Sequence, residues 1–267
     1  MARRFIYVIL VVGVTVGLYY GERYVDRLNE DYPKNADATT QFSEFNEGFL
    51  PESTTGEVVQ HPFFALSYAE EHEQAEWVAY ELQANHIKAN TFERPYFVED
   101  RQVASGSADW RNYKNSGYDR GHLVAAADRG FNYDAYHQTF LTSNISPQNH
   151  DFNRGIWNSL EQQVRRWAKE FNGVFVVTGG ILTAHLDQIG DEGVSVPKAF
   201  FKIVLDKRNG DYKAIAFRIP NQPTNRSFYE YVVSIDALEE ETGIDFFPKL
   251  PKSLQASFEA STSNADW

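Results

Sequence analysis

The chain has 267 residues, 42% of them hydrophobic and 15% aromatic, with a formal net charge of -12; this is material for one sizeable core, and one folded domain is expected. The absence of cysteine excludes disulfide staples and thiolate zinc sites. The acidic balance excludes coating of nucleic acid by bulk electrostatics, yet between Arg94 and Glu170 ten Arg or Lys stand against nine Asp or Glu, so the acidic excess lies outside that stretch.

The chain opens with Met1-Ala2-Arg3-Arg4 and an uncharged apolar run from Phe5 to Gly21. A bilayer core takes roughly 17–25 apolar residues and a signal-peptide core about 7–15, so the run sits at the boundary and leans towards a span. Bulky Leu18-Tyr19-Tyr20 stands where a small-x-small cleavage site would be. The expectation is an uncleaved anchor over residues 1–21, with Arg3 and Arg4 on the cytoplasmic side and the rest of the chain on the non-cytoplasmic (periplasmic or extracellular) side. Secretion after cleavage is the alternative. Residues 22–60 are polar and acidic without a sustained period, and read as a linker.

The domain is expected over residues 61–257. Trp77 to Leu82 reads as a strand, with a helix from Glu71 to Leu82 as the alternative. Then come Asp119-Arg120-Gly121-His122, Asn144 and a helix from about Asn153 to Glu170. In that helix Ile156, Leu160, Val164 and Trp167 form a buried stripe, while Asn153, Trp157, Glu161 and Arg165, at spacings of four, form an adjoining face. A solvated face with an ordinary Glu–Arg pair is the plain reading of that second set. Further strands are expected over Gly173 to Thr178, Ala199 to Leu205, Tyr212 to Ile219 and Phe228 to Ile235, with a hairpin turn at Asn209-Gly210. Asp236-Ala237-Leu238-Glu239 reads as a capping box and Gly243 as the stop of a short helix. The end from Ser253 should fray, with residues 258–267 a flexible tail.

A His beside an Arg, an amide thirty-one residues later and a carboxylate eight beyond that supply a proton acceptor, a cation for phosphate and oxygen ligands for a hard metal. Those are the parts of a magnesium-assisted phosphodiesterase. Asp119-Arg120-Gly121-His122, with Asn144 and Asn153-Arg154-Gly155-x-Trp157-x-x-x-Glu161 downstream, resembles the DNA/RNA non-specific endonuclease family, the ββα-metal nucleases. Arg94-x-x-x-Phe97-x-x-Asp100, Val177-Thr178-Gly179-Gly180 and Ile235-Asp236-x-Leu238-Glu239-x-x-Thr242-Gly243 also fit, so the similarity covers roughly Pro62 to Pro251.

The resemblance implies an α+β fold of the ββα-metal (His-Me finger) type, with a central, mostly antiparallel sheet flanked by helices. It implies a metal-dependent, sugar-non-specific endonuclease that hydrolyses phosphodiester bonds in DNA and RNA. His122 would be the general base and Asn153 the one direct protein ligand of Mg²⁺, for which Mn²⁺ would substitute. Glu161 would hold the waters of that metal, and Arg94 would neutralise charge on the phosphate, although Arg101 and Arg111 nearby allow another alignment. Arg120, Asn144 and Arg165 would support the phosphate or the site, with Asn144 equally readable as a turn residue before Pro147. Asp119 would fix the strand end. DNA and RNA are the expected substrates, the membrane a partner through the N-terminal helix, and a homodimer or an inhibitor protein are further partners the resemblance leaves open. Two other function classes stay in view: a phosphodiesterase of the same fold acting on other substrates, and a membrane-tethered nucleic-acid-binding module without turnover.

Overall fold

A strand buried on both faces is an unbroken apolar run bounded by turn residues, and several segments of this chain have that form. The computed structural model describes residues 2–31, 48–208, 211–265 and 267. In chain order the strands are β1 (Val58–His61), β2 (Phe64–Ala69), β3 (Gln74–Leu82), β4 (Asp119–His122), β5 (Ile145–Gln148), β6 (Val174–Gly180), β7 (Gln188–Ile189), β8 (Val194–Ser195), β9 (Ala199–Arg208), β10 (Asp211–Pro220) and β11 (Val232–Val233). Seven of them form one sheet in the order β1-β2-β3-β6-β9-β10-β11, with every neighbouring pair antiparallel. β4 pairs with β5, and β7 with β8, as separate antiparallel ribbons. The main helices are α1 (Ala2–Asp31), α2 (Tyr133–Gln138), α3 (Asn158–Glu170), α4 (Ile235–Thr242) and α5 (Lys252–Phe258).

Strand side chains point alternately to the two faces, and here each face has its own cover. On one face Leu66, Val78, Tyr80, Val176, Val204 and Phe217 pack with Ile156, Leu160, Val164 and Trp167 of the helical region. On the other, Ala65, Trp77, Ala79, Phe175, Val177 and Ile203 pack with Leu238 of α4, Phe246, Phe247 and Phe258. A third cluster, built on Phe97, Tyr113, Tyr136, Phe140 and Ile145, lies under β4 and β5. The architecture is thus α+β around an antiparallel sheet.

Trp77 to Leu82 is in β3, which removes the helical alternative, and the stripe on α3 is buried as its spacing requires. β9 and β10 pair with Arg208 opposite Asp211; the Asn209-Gly210 turn itself lies outside the described residues. α4 ends at Gly243, which takes the left-handed conformation at φ 74°. Its cap is Ser234 and not Asp236, for the Ser234 side chain accepts from Ala237 N.

Besides that cap, three expectations differ from the structure and a fourth is not shown by it. The strand expected over 228–235 survives only as Val232–Val233, because Ser227 and Glu230 form a reciprocal capping pair that winds Phe228–Tyr231 into a 3₁₀ turn. The linker expected over 22–60 is helical up to Asp31, and from Gly48 it belongs to the domain. Phe49 is 2% exposed and packs against Phe175, Trp77 Nε1 donates to Glu52 O, and Val58 opens β1; residues 32–47 lie outside the described set. The polar tail is not frayed throughout: α5 docks through buried Phe258, and Trp267 meets the Trp167 ring edge-on at 5.0 Å. Finally, no helix among the described residues is long and apolar enough to cross a membrane, so the anchor expected over 1–21 is not shown, although α1 begins at Ala2.

The burial of Phe49 sets a test of where the domain starts. Phe49→Ala should destabilise the protein by about 3–5 kcal/mol, the range for emptying a buried aromatic site. Urea denaturation of the two proteins measures this, and an unchanged midpoint would return Phe49 to the linker.

Candidate active site

The β4–β5 ribbon carries the candidate base. Its register sets Asp119 opposite Gln148, Gly121 opposite Ser146 and His122 opposite Ile145, and Leu123 N continues the ladder to Asn144 O. A Cβ on Gly121 would lie 2.1 Å from Gln148 Cδ, and Gln148 is fully buried, so glycine is the residue that lets the buried amide lie flat on the strand. Ser146 donates to Gln74 Oε1 at 2.6 Å and Asn221 donates to Pro147 O at 3.1 Å, which fastens β5 to β3 and to the segment after β10.

His122 stands between the rings of Phe97 and Phe140, at 5.6 and 5.0 Å. Its Nε2 is buried and has no hydrogen-bond partner. Burial, then the charges of Arg94 and Arg120, push the imidazole down to about 3, so the ring is neutral. Arg94 lies over Phe97 and Phe140 at 5.7 and 5.5 Å, and Arg120 over Phe97 and Trp110 at 4.9 and 5.6 Å. Burial and the neighbouring Arg94 lower the Arg120 guanidinium as well. Two cations held on aromatic faces beside a neutral imidazole make a site short of negative charge.

Asn153 completes the arrangement. Its Nδ2 donates to Asp119 Oδ2 at 3.0 Å, while His150 Nδ1 lies 3.1 Å from Asp119 Oδ1. Burial pushes the Asp119 carboxyl up, but these hydrogen bonds outweigh it and hold the group below the usual carboxylate range. The bond commits the amide nitrogen to Asp119, so Oδ1 is the atom of Asn153 left to accept or to ligate. Asn153 sits where a helical turn (His150–Phe152) passes into a widened, π-type turn (Asn153–Trp157), within which Gly155 leaves helical backbone at φ -93°, ψ -105° before α3 begins. Arg94, Arg120, His122 and Asn153 line one cleft of about 410 Å³ with Asp119. Tyr113, Tyr118 and Arg154 line it too. None of the three was given a site role from the sequence, although Arg154 stands in the Asn153-Arg154-Gly155 set and Tyr118 adjoins Asp119.

The remaining expected site residues do not line the cleft. Asn144 is fully buried, and its amide is spent on backbone: Oδ1 accepts from Val124 N at 2.8 Å, and Nδ2 donates to Val124 O and Thr139 O. It holds the chain just after His122 and has nothing left for phosphate. Arg165 pairs with Asp128 at 2.8 Å, and Tyr80 OH donates to the other Asp128 oxygen at 3.0 Å. Glu161 belongs to the same charged group. Burial raises its carboxyl against the pull of Lys202, whose ammonium lies buried 4.6 Å from the centre of the Trp157 ring and is itself lowered by burial. Asp100 is buried and accepts from Ser143 Oγ at 2.5 Å, with His61 Nε2 2.7 Å away; it ties the segment bearing Arg94 and Phe97 to the turn before β5.

The profile of the family described as DNA/RNA non-specific endonuclease matches residues 42–253, most of the chain. The chain belongs to the DNA/RNA non-specific endonuclease family. It is 32% identical over 216 residues to a Nuclease of Nostoc sp., covering 75% of this chain and 77% of that protein. To the mitochondrial Endonuclease G of Homo sapiens it is 30% identical over 202 residues, covering 70% and 68%. To the mitochondrial Nuclease EXOG of Danio rerio it is 32% identical over 204 residues, 70% of this chain and 60% of that longer protein. Among solved structures, a chain of the EndoG/EndoGI complex superimposes with a TM-score of 0.72 at 26% identity, covering 81% of this chain and 96% of that one. The resemblance carried by the Asp-Arg-Gly-His set therefore holds at the level of the family, and this member of it is by family an endonuclease.

The depressed imidazole has a measurable effect on this endonuclease domain. The unfolded chain protonates its histidines near 6.5 while folded His122 stays neutral to about 3, so the unfolded state binds more protons between those values. Stability should be complete above about pH 6.5 and decline as pH falls towards 3. Burial, with Arg129 and Lys88, also pushes His86 down to about 4, so a single variant isolates one share. His122→Phe, with Phe97 and Phe140 as neighbours, should give a flatter fall of the urea midpoint between pH 6.5 and 4. An identical slope would mean that His122 protonates normally.

Proposed function

We propose that this chain is a metal-dependent, sugar-non-specific endonuclease that hydrolyses phosphodiester bonds in DNA and RNA, with His122 as its general base. The observation that carries the reading is His122 Nε2: a buried, neutral, unpartnered nitrogen in a cleft lined also by the guanidiniums of Arg94, Arg120 and Arg154, the phenols of Tyr113 and Tyr118, and the Asn153 amide turned by the Asp119 carboxylate. The imidazole accepts a proton from water, a bound phosphate would offset the charges of Arg94 and Arg120 that lower its basicity, and the Phe97 and Phe140 rings limit its rotation. Arg94 and Arg120 bring positive charge to the place where a phosphate would lie, and that charge gains on the phosphate as negative charge grows on its non-bridging oxygens. Contacts of this kind carry little base information, which suits a nuclease indifferent to sequence and sugar.

The residues fit a hard divalent cation. Asn153 offers one neutral oxygen, and Mg²⁺ keeps most of its waters and takes few protein ligands. Glu161, the residue expected to hold such waters, is buried with Asp128, Arg165 and Lys202 and does not line the cleft, so those waters would face Asn153 and Asp119 there; Mn²⁺ has compatible ligand chemistry. When bound, the ion would supply Lewis-acid polarisation of phosphate oxygen. Asp119 is then a positioning residue, since it turns the Asn153 amide.

The two roles separate by experiment. His122→Ala should leave Mg²⁺ affinity and nucleic-acid binding nearly intact while cleavage falls by ~10²–10⁴-fold. Asn153→Ala should weaken Mg²⁺ binding and recover in part with excess Mg²⁺. Rates of plasmid and RNA cleavage against Mg²⁺ concentration, with calorimetric Mg²⁺ titrations, measure both. Equal loss of metal affinity in the two variants would make His122 a ligand and overturn its assignment as base.

We further propose that residues 1–21 tether the domain to a membrane with the catalytic part on the non-cytoplasmic side. The support is the order Arg3, Arg4, then an uncharged run from Phe5 to Gly21, together with side chains from Leu10 to Gly21 that are all exposed and so take no part in the core of the domain. The full chain should stay with membranes through carbonate extraction. Release into the carbonate supernatant, or a mature N-terminus beyond Gly21, would end the tether reading.

A further inference from the structure

The C-terminal helix brings three carboxylates together on the sheet face opposite α3. Asp236 is exposed at the start of α4, Glu239 is one turn on, and Glu259 follows α5 with only 6% of its surface exposed. One oxygen from each lies within 4.8 Å of the others. Oxygens held at 2.3–2.6 Å from one Ca²⁺ are at most about 5 Å apart, so one ion could touch all three. Glu259 Oε1 is buried and has no hydrogen-bond partner.

The N-terminus of α4 would be the natural source of donors for that oxygen, but its N–H groups are committed. Ile235 N and Asp236 N donate to the backbone oxygen of Glu259, at 2.8 and 3.3 Å. Ala237 N donates to Ser234 Oγ, and Leu238 N points to Ser234 O. Glu239 Oε1 already accepts from Phe246 N at 3.0 Å. Lys252, the cation bearing on the group, is exposed, donates to Gln255 Oε1 and lies 3.8 Å from Asp245. A carboxylate with one oxygen buried and unbonded, and one oxygen within 4.8 Å of two further carboxylates, is costly as an ion unless a proton or a shared cation neutralises it.

We propose that Asp236, Glu239 and Glu259 form a calcium-type divalent-cation site that fastens the C-terminal helix to α4, separate from the cleft of His122 and Asn153. The ligands are carboxylate oxygens of unequal exposure on two elements, an irregular set that suits the flexible coordination of Ca²⁺ better than the strict octahedron of Mg²⁺. With three protein carboxylates and water completing the shell, the affinity belongs on the order of 10⁻⁴–10⁻³ M. Bound Ca²⁺ acts on stability and not on cleavage.

The test is thermal unfolding and calorimetric titration of the full chain with CaCl₂, for the unchanged protein, Glu259→Gln and Asp236→Asn. At ten times its dissociation constant Ca²⁺ should raise the melting temperature of the unchanged protein by about 3–5 °C. Glu259→Gln should lose that rise and, without Ca²⁺, melt no lower than the unchanged protein, because one repelling charge is gone. Should Glu259→Gln fail to fold, exposed Asp236→Asn carries the test, with a titration weakened at least tenfold. Mg²⁺-dependent plasmid cleavage by Asp236→Asn should be unchanged. Absence of any Ca²⁺ response up to about ten times the upper affinity limit overturns the proposal. So does a response that persists in both variants, or one that disappears with Asn153→Ala, which would assign the ion to the cleft.

Discussion

The close approach of β4 to the Gln148 amide is the constraint on which the site depends. With hydrogen at the Cα of residue 121, Gln148 can lie against the strand, and the β4–β5 ladder then sets Asp119 and His122 at its two ends. The two ends act differently, for Asp119 turns the Asn153 amide while His122 enters the space between Phe97 and Phe140. Asn144 continues the ladder by gripping Val124 on both its backbone groups, so the chain cannot peel away behind the histidine. A two-stranded ribbon is marginal on its own. Here it is held by Ser146 to β3 and by Asn221 at Pro147, and it borrows the rigidity of the main sheet.

A second feature is the separation of charges into two groups. Arg94 and Arg120 stand at the cleft on aromatic faces, whereas Arg165 and Glu161 of α3 and Lys202 of β9 gather about Asp128, in the 3₁₀ turn Ala126–Arg129, with Tyr80 bonded to it. The cleft group carries excess positive charge, and the inner group balances itself. This is how a chain of net charge -12 offers an attractive place for an anion. Arg129, fully buried, adds a neutral-backbone variant of the same device, donating to Phe63 O and Glu81 O.

Much of this was legible in the sequence where a residue type had one physical use. The stripe Ile156, Leu160, Val164 and Trp167 could only be a buried helix face, and Asp-Arg-Gly-His with Asn153 named the cleft. What escaped was local geometry that spacing does not encode. Asn144 read as a phosphate support or a turn residue, since an amide's partners are backbone groups brought close by folding. β2 escaped because Phe64-Ala65-Leu66-Ser67-Tyr68-Ala69 has no β-branched residue and a Ser breaks its apolar run. Phe49 and Trp267 lie in polar stretches whose composition argued for linker and tail, and single aromatic anchors do not change a composition. Phe228 to Ile235 has strand-like composition, yet Ser227 and Glu230, three apart, settle the local backbone first.

The widened turn at Asn153–Trp157 has one more consequence. On an unbroken α-helix each residue fixes the rotational phase of every later one, so Asn153 and the apolar stripe of α3 would have a set angular relation of about 100° per residue. The departure at Gly155 interrupts that relation. The stripe can follow the curvature of the sheet while the amide keeps its own bearing towards Asp119. The two ends of this helical region are therefore free to change independently over evolution: repacking of the core along Leu160, Val164 and Trp167 does not re-aim Asn153, whereas loss or gain of one residue between Asn153 and Trp157 alters the frame between cleft and core while every side chain on either side remains the same.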